Sequence, residues 1–111
     1  MQQNLAVLAG QAAVAGAAAD LAAEAFARGV HLPGIAAGKA RTGEAADLGA
    51  AIAHQVHGAT GFTYEHELHF LTKRLWAWRD EWGTEAEWSL LLGQLAATAG
   101  PERLWAEISA I

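Results

Sequence analysis

Gln55-Val56-His57-Gly58-Ala59-Thr60-Gly61-Phe62-Thr63-Tyr64-Glu65-His66 decides how the chain is read, because two glycines three residues apart separate two stretches of helical periodicity. Glycine accepts positive φ and lets a partner group approach the backbone closely. A chain that turns here offers Thr63 as the cap of the next helix, whose free amides and dipole favour negative charge. The plain alternative is a helix-to-helix turn with no ligand.

Working outward, the segment before the hinge reads as a helix from Ile35 to His57, with Leu48, Ile52 and Val56 as its core line and Gly38, Gly43 and Gly49 weakening it. Beyond the hinge, a helix from about Tyr64 to Trp82 is expected to bury Leu68, Leu71, Leu75, Trp78 and Trp82 and to stop at Gly83. Thr84 opens another helix: its spacing to Glu87 matches a capping box, and Trp88, Leu91, Leu92 and Leu95 supply the apolar face. Gly100-Pro101 punctuates again before a short terminal segment with Leu104, Trp105 and Ile108.

The first helix is expected from about Gln3 to Arg28, with Gly29 as its stop and Pro33 beyond. Leu5, Leu8, Ala12, Ala15, Ala19, Ala22 and Phe26 form one stripe, and Val7, Val14 and Leu21 a second, which implies contact on more than one side. The uncharged run from Leu5 to Ala19 lacks the basic flank of a secretory signal. Being alanine-rich and shorter than the ~20 apolar residues of a membrane span, it reads as a soluble, buried helix.

No strand pattern, internal repeat or long linker divides the 111 residues, so one helical domain over 1–111 is expected. The net charge of −5 gives no basic face for nucleic acid. The absence of cysteine removes disulfides and thiolate metal sites and is compatible with a cytoplasmic location.

Gln55, Gly58, Gly61, Phe62 and Glu65 also match a motif: glutamine, two residues, two glycines, one residue, another glycine, an aromatic and shortly an acidic residue. This resembles the late-chain signature of acyl-CoA dehydrogenases, with Ala59 in place of the second glycine and Phe70 where a basic residue is usual. Gln2-Gln3-Asn4-Leu5-Ala6-Val7-Leu8-Ala9 is similar to the start of the second helix of that family's C-terminal bundle, so the resemblance covers nearly the whole chain. It implies an all-α, up-and-down four-helix-type bundle. It also implies a place in a larger FAD-dependent flavoprotein that dehydrogenates acyl-CoA thioesters, with the flavin-holding β-domain outside this sequence. Gln55, His57, Gly58, Gly61 and Thr84 are then the cofactor contacts, shared with a neighbouring subunit of a homo-oligomer, dimer or tetramer, or with the other domains of the flavoprotein.

The family's reaction takes an α-proton with a carboxylate while FAD accepts the β-hydride. Many relatives supply that carboxylate from a Glu-Gly-Thr motif, where this chain has Trp82-Gly83-Thr84. Glu81, turned by about 100° on a helix, or Asp80 is one candidate base. A base on an earlier helix outside the sequence is the favoured reading, and a noncatalytic partner is the third. The chain alone is expected to be inactive. A non-enzymatic helical oligomerisation module is the alternative function.

His54, His57, Glu65, His66 and His69 cluster around the hinge, but without the His-Glu-x-x-His spacing of zinc hydrolases they read as hydrogen-bonded or surface groups. Trp88 and Trp105 are expected to seal helix contacts, Trp76 to project elsewhere, and Lys73, Arg74 and Arg79 to form a solvated face paired with Asp80 or Glu81.

Overall fold

The computed structural model describes residues 2–60 and 65–111. Five helices follow one another: α1 (Gln2–Ala27), α2 (Leu32–Thr60), α3 (Glu65–Asp80), α4 (Glu85–Ala99) and the short α5 (Pro101–Ser109). No strand occurs among the described residues, so the all-α class is as expected, with four main helices and a short terminal one.

Local chemistry sets the breaks. Gly29 takes φ +112 after α1, and the His31 amide returns to the Ala25 carbonyl at 2.8 Å. Val30 follows at φ 58, a left-handed conformation unusual for a β-branched residue. Pro33 lies beyond the Gly29 stop, as expected, and falls inside the first turn of α2, where its missing N–H costs nothing and its fixed φ suits the helix. Thr84 caps α4 by accepting the Glu87 amide at 3.2 Å, and Pro101 starts α5.

α1 and α2 form an antiparallel hairpin. The α1 positions that are buried or half-buried include Asn4, Leu8, Gln11, Ala15, Ala18, Ala22 and Ala25, in alternating steps of four and three. Glycines of α2 face them: a Cβ on Gly38 would stand 2.6 Å from the Ala22 Cβ and 2.7 Å from the Ala18 carbonyl, and one on Gly34 2.7 Å from the Ala25 Cβ. Gln11 accepts from the Arg41 guanidinium at 2.9 Å, tying the seam farther along.

The expected first-helix stripes are therefore displaced. Leu8, Ala15 and Ala22 do face α2, whereas Leu5, Phe26, Val7 and Val14 are exposed. Only Ala25 of α1 is buried, which corrects the reading of α1 as a buried helix. By length and composition alone α1 is apolar enough to cross a membrane, with mean hydropathy 1.6, a test that core helices and signal sequences also pass.

α3 and α4 both run antiparallel to α2, one after the other. Thr72 and Arg79 of α3 meet His54 and Asp47 in the second half of α2, and α4 begins beside Gly43, where a Cβ would lie 3.2 Å from that of Glu85. The direction alternates only from α1 to α3, and α4 continues the direction of α3 in line along a 29-residue α2 about 43 Å long, which departs from the expected up-and-down four-helix-type bundle. The molecule measures 52 × 27 × 23 Å. Between α3 and α4 the chain turns through Trp82 at φ 63 and Gly83 at φ 101, held by the Trp88 indole N–H donating to the Trp82 carbonyl at 2.8 Å.

The buried apolar side chains are alanines: Ala25, Ala36, Ala45, Ala46 and Ala50. Contrary to expectation, Leu71 (63% exposed), Leu75, Trp78 and Trp82 (89% exposed) of the third-helix stripe are open, and so are Trp105 and Leu48. Ile52, Val56, Leu68, Trp88, Leu91, Leu92 and Leu95 are half-buried.

Candidate functional site

The C-terminal turns of α2 carry the residues singled out by the hinge. Gln55 and Gly58 are exposed and His57 is half-buried, and a Cβ placed on Gly58 would meet nothing within 4 Å. Gly58 is helical, inside the last turns of α2. Gly61, Phe62, Thr63 and Tyr64 lie outside the described residues, as do the side chains of Glu65 and His66.

A polar link that sequence reasoning missed fixes α3 beside this turn. Thr72, only 3% exposed, has its hydroxyl 3.1 Å from the Leu68 carbonyl and 3.1 Å from His54 Nε2, so it hydrogen-bonds both within α3 and across to α2. The His54 ring lies 4.6 Å from that of His69 and stacks at 6.4 Å on Trp76, so Trp76 faces α2, off the wall formed by Leu71, Leu75 and Trp78. A lone threonine in Leu71-Thr72-Lys73 gives no sequence signal for such a role. No group of three metal-ligating side chains occurs among the described residues.

Thr84 stands past the far end of α3, a helix of 16 residues and so about 24 Å long. Its hydroxyl is engaged as the α4 cap. The candidate cofactor contacts thus divide into Gln55, His57 and Gly58 at one end of α3 and Thr84 at the other. Glu81 is exposed beside Thr84, with its amide bonded to the Trp78 carbonyl at 3.2 Å. Asp80 is committed elsewhere: Arg79 Nε donates to it at 3.0 Å, and that hydrogen bond holds its carboxyl below the usual range. Arg79 also pairs with Asp47, and Lys39 donates to the Arg79 carbonyl, so the end of α3 is clasped to α2. Arg74 lies 5.9 Å from the centre of the Trp78 ring.

A cavity of about 600 Å³ opens between α1, α2 and α3. Leu8 and Ala15 form one wall, Ala46 and Ala50 the floor, and Leu71, Leu75 and Trp78 the other wall. No family model, curated protein or solved structure matches the chain.

Proposed function

We propose that this chain is the C-terminal helical part of an acyl-CoA dehydrogenase-like flavoprotein, contributing to subunit assembly and to one wall of the FAD site. The observation that carries the reading is the open surface of Gln55 and Gly58 at the end of α2. A glycine with free space above it lets a dinucleotide approach the backbone, and the start of α3 at Glu65 brings the amide end of a helix into the same region. Gln55, His57 and Gly58 would hold the adenosine-pyrophosphate side, with Gly61 completing the hinge in the resembling motif. FAD, when bound, supplies the hydride acceptor of α,β-dehydrogenation. The His54–Thr72 contact ties α3 to α2 beside these residues.

NMR titration of the ¹⁵N-labelled chain with FAD tests this, since it detects the weak affinity of a site whose other contacts lie elsewhere. Shifts concentrated on the Gln55–Gly58 amides, abolished by Gly58→Val, are expected. Shifts confined to other helices, or none, would refute the flavin assignment. Steady acyl-CoA dehydrogenation by the chain with added FAD would defeat the expectation that it is inactive alone.

A second reading, a helical assembly module with no cofactor, is favoured by the open apolar wall of α3, where Leu71, Leu75 and Trp78 are exposed. It predicts association without any response to FAD.

A further inference from the structure

The chain exposes 7390 Å². A compact monomer of 11.6 kDa exposes about 5,800 Å² by the usual scaling of surface with mass. The surplus, about 1,500 Å², exceeds the roughly 800 Å² per partner of a standard interface and falls in the range of obligate dimers. One contiguous part of the exposed apolar surface lies on α3, where Phe70, Leu71, Leu75 and Trp78 are all exposed. The groove of α1, α2 and α3 opens along the same helix.

The charges on that face define the occupant. Glu67 and Arg74 flank Phe70 and Leu71, and the four residues line one recess. Seven residues apart, Glu67 and Arg74 share a face but stand about 10.5 Å apart along the axis. An antiparallel helix of the same sequence, related by a two-fold axis between Phe70 and Leu71, sets each Glu67 opposite an Arg74. It also sets Leu71 of each copy opposite Phe70 of the other. A two-fold interface must be self-complementary in this sense. Parallel packing would instead bring like charges together.

We infer that two copies of this chain pair through α3, antiparallel about a two-fold axis beside Leu71, joined by Phe70 and Leu71 and by two Glu67–Arg74 pairs. This deepens the assembly half of the function proposed above and is independent of flavin binding.

Sedimentation equilibrium of the chain tests it, with circular dichroism confirming that each variant keeps its helices. The wild type is expected to be dimeric at micromolar concentration. Phe70→Glu and Leu71→Glu each weaken the dimer at least about 100-fold, because a carboxylate would be buried in the apolar centre of the pairing. Glu67→Arg and Arg74→Glu each weaken it about 10-fold, and the double reversal Glu67→Arg/Arg74→Glu returns to within about 3-fold of wild type. A control, Leu90→Glu on the exposed face of α4, leaves it unchanged. A chain that stays monomeric to about 100 µM, including one that binds phosphatidylcholine–phosphatidylglycerol vesicles instead, overturns the proposal. So does a double reversal no tighter than the single ones. An oligomer indifferent to Phe70→Glu and Leu71→Glu but broken by Val14→Glu overturns this surface while leaving assembly itself standing.

Discussion

Adding one methyl group at Gly38 should damage the α1–α2 hairpin more than it helps the helix. The new Cβ would lie 2.6 Å from the Ala22 Cβ and 2.7 Å from the Ala18 carbonyl oxygen. Both obstacles are fixed to the α1 backbone, so no side chain can swing aside and α1 must retreat by about 1 Å to restore ordinary contact. Overpacking of this kind costs about 1–3 kcal/mol, and the site belongs near the upper end. Replacing a mid-helix glycine returns about 1 kcal/mol of propensity. The net expectation for Gly38→Ala is destabilisation by about 1–2 kcal/mol.

Gly93 supplies the control, since it is exposed within α4 and nothing lies within 4 Å of its Cβ position. Gly93→Ala should show only the propensity gain, about 1 kcal/mol. At about 4 °C per kcal/mol for a chain of this size, the two variants should melt roughly 8–12 °C apart. Far-UV circular dichroism, at one protein concentration because association shifts Tm, measures the difference. A Gly38→Ala protein that gains as much as Gly93→Ala would refute the close approach of the two helices.

Three further outcomes follow from other contacts. Thr84→Ala removes the cap that accepts the Glu87 amide and should cost about 1 kcal/mol in urea unfolding, with Thr84→Ser restoring most of it. Val30→Gly relieves a left-handed φ of 58 at an exposed position and should raise stability by about 1 kcal/mol, read as an increase in Tm. Asp80 has its folded-state pKa lowered by the Arg79 hydrogen bond. Its contribution is present above the ordinary aspartate range and is lost as pH falls through the lowered value. Asp80→Asn should therefore flatten that part of the acid limb in a pH series of urea midpoints, by a small amount because the pair is solvent-exposed.

The punctuation of the fold was legible because it is written in local chemistry. Gly29, Gly83-Thr84 with Glu87, and Gly100-Pro101 each impose a backbone conformation or satisfy an end group that their residue types alone suggest. The packing face of α1 was not. With alanine on every side, apolar period cannot choose between the stripe through Leu5 and Ala12 and the one through Gln11 and Ala18. The choice is made by Gly34 and Gly38, which lie across the hairpin. On α3 the period was right, since Leu71, Leu75 and Trp78 share one wall of the groove, but burial did not follow because no other helix of the chain covers that wall. The line of α3 and α4 along α2 was equally unreadable, because a tight turn at Gly83 says nothing about which part of α2 each helix meets. At the candidate site Gln55 and Gly58 were marked only by a motif resemblance, while the His54–Thr72 bond needed the two helices side by side.

An interior enclosed mainly by alanine methyls has an energetic signature. Ala25, Ala36, Ala45, Ala46, Ala50 and Thr72 re-expose little hydrocarbon when they come apart. Calorimetry of the dilute chain should therefore give a heat-capacity increment below the roughly 1.5 kcal/mol/K of an ordinary domain this long, with a broad endotherm. As concentration rises, the melt should sharpen and the increment approach that of a conventional globule, because the hydration change then belongs to the assembled species.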